Sequence, residues 1–274
     1  ENFAGYRRYR LHAMEERLRS VMPIGVRRPA FGLLGHVYPK ADWAPRMFRA
    51  KSTFQALART SVDAYFHSVS ILRDDMRDQL FSNAFKARLG GYSAAEVFRR
   101  HGRRAGTDDP VALVQYLDLK TYLVGDINTK VDRASMAHSL EVREPLMDHP
   151  LVEWLASLPT SLKIRGQEGK HLLKSAMAPY LPDELMYRPK MGFSVPLERW
   201  FRGPLRQRLN DAVLGPRLAA TGVFNAHYLK QIVDAHTSGR RDYSAPLWTL
   251  LMFDAFLRNI MPDEALDFHE KAAG

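Results

Sequence analysis

Cysteine is absent from the 274 residues. Disulfide frameworks, thiolate zinc sites and cysteine nucleophiles within the chain are therefore excluded, and the lack of thiols suits a cytoplasmic protein. Long apolar runs are missing too. The densest, from Leu247 to Leu257, is broken by Thr249 and Asp254, short of the roughly 18 residues that cross a bilayer. No signal-peptide pattern opens the chain, and no internal repeat or low-complexity tract interrupts it. The first residue is Glu1 although eleven methionines occur elsewhere, so the expectation is a piece of a longer protein. The ten histidines form no H-E-x-x-H or other close pairing, so no metal site is expected within the chain. G-x-S-x-G and G-x-G-x-x-G loops are lacking.

What is present is charge, unevenly placed. The net charge is +10, and residues 1–104 hold twenty of the forty Lys and Arg but only nine of the thirty Asp and Glu. A basic half raises the question of an anionic partner such as nucleic acid. No RNP aromatic motif or zinc finger supports that reading.

The apolar spacing is helical almost throughout, and no alternating stretch of useful length calls for a strand. The chain therefore reads as mostly α. Asp109-Pro110 supplies an N-cap oxygen followed by proline at the first helical position. Asp148-His149-Pro150 and Pro182-Asp183 give similar starts. Residues 23–45 hold four prolines and are expected to be mostly irregular. Glycine and arginine crowd 101–109, which places a boundary there: a basic helical segment over 1–104 and a second helical part over 105–274.

The densest chemistry runs from Asp118 to Lys190. Asp126, Lys130 and Arg133 share one helical face; by spacing alone this is a solvated charged face. Glu141 stands among apolar residues and prolines, where a carboxylate can act as a base or orient a nucleophile, although an ion pair with Arg143 is the simpler reading. Lys170 follows two glycines at a helix start, where backbone amides and an ammonium suit an anion; the Walker spacing is absent. Arg188-Pro189-Lys190-Met191-Gly192-Phe193 is a second basic turn.

The order of these segments carries more. Asp118-Leu119-Lys120-Thr121-Tyr122-Leu123 precedes Asn128-Thr129-Lys130-Val131-Asp132-Arg133-Ala134-Ser135-Met136-Ala137. Leu140-Glu141-Val142-Arg143-Glu144-Pro145-Leu146-Met147-Asp148 follows, then Lys170-His171-Leu172-Leu173-Lys174 and Arg188 to Phe193. Together they resemble the synthetase domain of glutamine-dependent asparagine synthetases and their β-lactam synthetase relatives. Glu1-Asn2-Phe3-Ala4-Gly5-Tyr6 is similar to the end of the acidic segment of that family, and the likeness extends to about Arg206. Tyr38-Pro39-Lys40-Ala41-Asp42-Trp43, with its neighbours to Lys51, resembles the exosortase-A-associated amidotransferase branch, which is linked to exopolysaccharide clusters.

The resemblance implies the C-terminal helical part of an α/β synthetase domain of the adenine-nucleotide α-hydrolase type, a PP-loop ATP pyrophosphatase. It implies ATP and Mg²⁺, adenylation of a carboxylate (aspartate or another acid), and attack by ammonia from glutamine hydrolysed in a further domain. Lys170 matches the lysine that stabilises charge at the phosphates, Glu141 the glutamate that orients a tyrosine base in the β-lactam branch, and Glu1 the acid beside pyrophosphate. The Ser-Gly-Gly-x-Asp-Ser nucleotide loop and the glutamine-hydrolysing cysteine are expected upstream of Glu1, so this piece alone should be inactive. The expected partners are small molecules, with no nucleic acid and no membrane span; a homodimer stays open. The competing expectations are a basic helical nucleic-acid-binding protein and a non-catalytic family member.

Overall fold

The computed structural model describes residues 2–38, 51–188 and 195–261. Most of the described residues are helical, and they gather into two compact units. One consists of Glu1–Val69 with Ala94–Lys190, the other of Ser70–Ser93 with Met191–Gly274. The basic stretch 1–104 thus contributes to both.

The first unit is organised by the Pro110–Lys120 helix. Its start follows from Asp109, whose carboxylate accepts from the amides of Val111 and Ala112, both at 2.8 Å, with Pro110 in the first turn. Two otherwise orphaned donors are satisfied there. Val111, Val114 and Leu117 are buried against Tyr9 of the Arg7–Val21 helix and Tyr65 of the Ser61–Val69 helix. The chain then widens into a π-helical turn, Leu123–Asn128, before resuming as an α-helix at Thr129–Met136. A turn Pro145–Met147 leads into the His149–Ser157 helix. Ile164–Arg165 and Glu168–Gly169 pair antiparallel, a ladder too short to leave an alternating pattern. The His171–Met177 helix follows.

The second unit is closed by a segment from the N-terminal half. Ser82 caps the Asn83–Leu89 helix by accepting from the Phe85 amide at 3.1 Å. The Ser82 amide donates to Val223 O and the Asn225 amide to Leu80 O, both at 2.8 Å. Leu80 is thereby buried with Phe201, Leu209, Leu247 and Leu250.

One expectation is corrected. Residues 23–45 were expected to be mostly irregular, yet Ile24–Val37 is a helix containing Pro29; 39–50, with most of the segment that resembles the exosortase-associated branch, lies outside the described residues. Proline inside a helix removes one hydrogen bond, and tertiary ties offset that loss. The buried Arg27 guanidinium donates to the carbonyls of Met22 at 2.8 Å, Arg59 at 3.1 Å, and Leu57. Gly35, which reads as a breaker, lets the Lys51–Leu57 helix approach: a Cβ there would lie 2.9 Å from Gln55 Cγ and 3.2 Å from its amide nitrogen.

Candidate active site

A buried carboxylate anchors the floor of the first unit. Asp118 is 5% exposed and accepts three hydrogen bonds of 2.6 Å each, from Arg8 Nη2, the Tyr9 hydroxyl and the Tyr65 hydroxyl. A charge withdrawn from water needs such compensation. Burial, together with the Asp118 charge, pushes both phenols above the ordinary tyrosine range, so they remain protonated donors. The Arg8 guanidinium lies over the rings of Tyr6 at 4.1 Å and Tyr122 at 4.9 Å.

Beside this cluster a second set of ties fixes the N-terminal segment. Lys163, 2% exposed, donates to Gln115 Oε1 at 3.3 Å; Gln115 Nε2 donates to Asn2 O at 2.9 Å, and Asn2 Nδ2 to Leu146 O at 3.1 Å. Burial lowers the Lys163 pKa.

Lys170 is held by backbone geometry. It adopts a left-handed conformation, φ +60°, and its amide donates to Phe3 O at 3.1 Å. Preceding it, Gly169 passes so close to the N-terminal segment that a Cβ would stand 2.6 Å from Ala4 O; only glycine permits that approach. Lys174 donates to Glu168 at 2.9 Å and lies over the Tyr187 ring at 4.2 Å, and its ammonium holds the Glu168 carboxyl below the usual range.

These elements enclose a cavity of about 220 Å³ that includes Asn2, Tyr9, Asp118, Tyr122, Met147 and Lys170 in its lining. A broader groove of about 720 Å³ is lined by Asp132, Ser135, Glu141, Arg143, Asp148 and His149, among others. Ile127 and Met147 belong to both linings. Lys170 and Glu141 therefore line neighbouring spaces with a shared apolar wall rather than one pocket.

Glu141 is the partner of Arg143, at 2.8 Å, and both are exposed, 69% and 85%. The ion pair that the sequence offered as the simpler reading is present, and the apolar neighbours Leu140, Val142 and Leu146 are exposed as well. Asp126 and Lys130 stand 3.9 Å apart on an exposed helical face, as the solvated reading expects. Glu1 and the Pro189–Phe193 portion of the second basic turn lie outside the described residues. Arg8, Tyr9 and Tyr65 were not singled out beforehand. They meet Asp118 from 53 to 110 positions away, and the only local hint was an acid within a helix apolar on nearly every side.

Comparison with known sequences decides the lineage: the asparagine synthase family profile matches residues 1–258. The chain belongs to the asparagine synthase family. The glutamine-hydrolysing asparagine synthetase 1 of Bacillus subtilis is 26% identical over 253 residues, covering 92% of this chain and 38% of that protein. The glutamine-hydrolysing asparagine synthetase of Homo sapiens is 30% identical over 135 residues, 43% of this chain and 24% of that protein. Amidase chry2 of Gibberella zeae is 23% identical over 233 residues, 78% of this chain and 33% of that protein. The chain thus spans less than two fifths of the length of these relatives. No solved structure gives a significant match. Membership in the asparagine synthase family agrees with the order of motifs from Asp118 to Phe193, and the family match takes in both Lys170 and Glu141.

Proposed function

We propose that this chain is the helical part of an ATP-dependent amidotransferase synthetase domain of the adenine-nucleotide α-hydrolase type. The observation that supports it most is the placement of Lys170, clamped through its amide and Gly169 against residues 3–4 and lining a cavity floored by Asp118.

In this reading a substrate carboxylate attacks the α-phosphorus of ATP, giving an acyl-adenylate and pyrophosphate. Ammonia derived from glutamine then attacks the acyl carbon and releases AMP. Negative charge grows on the departing pyrophosphate, and the ammonium of Lys170, whose backbone is held through Phe3 O, would offset it. Glu141, paired with Arg143 on the open groove, would orient the attacking amine or a base. Glu1 would lie on the pyrophosphate side. ATP would arrive carrying Mg²⁺; among the described residues no group of three or more His, Asp or Glu side chains is placed to hold a metal. No described helix is long and apolar enough to cross a membrane, and a cytoplasmic setting would supply the ATP. The acid would be aspartate, or a carboxylate on a sugar if the exosortase-associated branch applies.

The test is carboxylate-dependent exchange of labelled pyrophosphate into ATP by the intact protein. Exchange is expected with at least one acid and should fall by about 10²–10³-fold in Lys170→Ala, the range seen when one charge-stabilising donor is removed. An intact, folded protein with no acid-dependent exchange would refute adenylation.

A further inference from the structure

Asn2 stands on a chain of hydrogen bonds whose polarity is fixed at both ends. The Lys163 ammonium donates only, so the Gln115 amide turns its oxygen to Lys163 Nζ, at 3.3 Å, and its nitrogen to Asn2 O, at 2.9 Å. Leu146 O accepts only, and it takes Asn2 Nδ2 at 3.1 Å. Lys163 and Gln115 are buried, and Asn2 is half-buried. One peptide further on, Phe3 O accepts from the Lys170 amide at 3.1 Å. Residues 2 and 3 thus tie two segments to one buried anchor. Phe3 holds the segment that carries Lys170, and the Asn2 side chain holds the Pro145–Met147 turn. Met147 lies in the wall shared by the cavity and the groove, and Glu141 and Asp148, on either side of the turn, line the groove. The turn is largely exposed, so a hydrogen bond from outside it is a principal restraint on where it sits.

We infer that Asn2 is a positioning residue: its side-chain amide sets the Glu141–Asp148 segment against the segment that carries Lys170. The inference rests on the adenylation reading for its consequence in the reaction; the tie itself does not. The first half-reaction, carboxylate on α-phosphorus, draws on Lys170, whose link to Phe3 O leaves the Asn2 side chain out. The second, ammonia on the acyl carbon, needs the groove side brought up to the acyl-adenylate. Loss of the Asn2 amide therefore spares pyrophosphate exchange and slows amide formation.

The test compares the intact wild-type protein with Asn2→Leu, which keeps the size of the side chain and removes the donor, and with Asn2→Ala. Thermal melting establishes that each is folded. Deuterium uptake across 144–148 should run about two- to tenfold faster in both variants, the range set by one ordinary hydrogen bond, with uptake across 110–120 unchanged. With the acid that best supports exchange, pyrophosphate exchange should stay within about twofold of wild type while amide formation falls about ten- to a hundredfold, as ångström-scale displacements produce. Unchanged uptake across 144–148 in both variants would overturn the tie. Equal losses in exchange and amide formation, amide formation at the wild-type rate, or unfolding of both variants would overturn the positioning role. Should the wild type show no exchange with any acid, the adenylation reading fails, and deuterium uptake still decides whether Asn2 holds the turn.

Discussion

Asp118 is the residue whose removal should cost most. It holds three donors from two helices, Arg8 and Tyr9 from Arg7–Val21 and Tyr65 from Ser61–Val69, and deleting one partner of a buried charge leaves the others desolvated and unpaired. Asp118→Ala is expected to destabilise the chain by about 3–5 kcal/mol. Tyr65→Phe, which removes one hydrogen bond to a charged group and keeps the ring, should cost about 1.5–3 kcal/mol. Urea unfolding of both variants checks the order; equal losses would mean that the Tyr65 hydrogen bond alone accounts for what the carboxylate contributes. Glu141 shows the opposite situation. With both it and Arg143 largely exposed, their attraction is screened, so whatever role Glu141 has belongs to chemistry in the groove rather than to stability.

Among the elements, the Pro110–Lys120 helix was legible because its start is a local chemical event. Asp109 and Pro110 act within four residues, and Thr160 Oγ1 adds a 2.8 Å hydrogen bond to the same carboxylate. Asp109→Ala is expected to cost about 1–2 kcal/mol, read as a lower urea midpoint with an unchanged slope. The Ile24–Val37 helix was not legible, since the contacts that overcome Pro29 come from Leu57 and Arg59. The π-helical turn at Leu123–Asn128 carries no local signature either, yet it supplies Leu123 and Ile127 to the cavity. Insertions of this kind recur at functional sites.

At the scale of the whole chain, the basic excess of residues 1–104 is partly consumed inside the first unit. Arg19 pairs with Glu15 and Glu16, Arg27 binds carbonyls, and Arg8 serves Asp118. These three side chains do structural work and offer little to an outside anion, which weakens the argument from charge to nucleic acid. Global stability should also carry a mark of His12. This buried imidazole contacts Ser61 Oγ at 3.0 Å and the Tyr65 ring edge-on, with Glu16 Oε2 3.9 Å away. Burial, and then the Arg19 charge, push its pKa down from 6.5 to about 4. Between those two values the unfolded chain binds a proton that the folded chain refuses. Stability should therefore rise with pH across that window and fall as pH drops through it. Unfolding curves at pH 4.5, 5.5 and 6.5 should show a shallower slope for His12→Gln than for the wild type; identical slopes would remove His12 as a contributor.

The sequence by itself determined the helical character, the capped start at Asp109-Pro110 and the family, because periodicity, an Asp-Pro pair and the order of short motifs are all local along the chain; Asp148 and Pro182 precede helices without a side-chain cap. It also supplied Lys170 and Glu141 as residues to examine. Only the tertiary structure decided that these two line separate spaces divided by Ile127 and Met147, and that Asp118 is spent on Arg8, Tyr9 and Tyr65 and so is not open to a ligand. The physical reason is reach. A cap or a turn is settled by neighbours a few bonds away, whereas a buried charge takes its partners from wherever packing places them, here up to 110 residues distant.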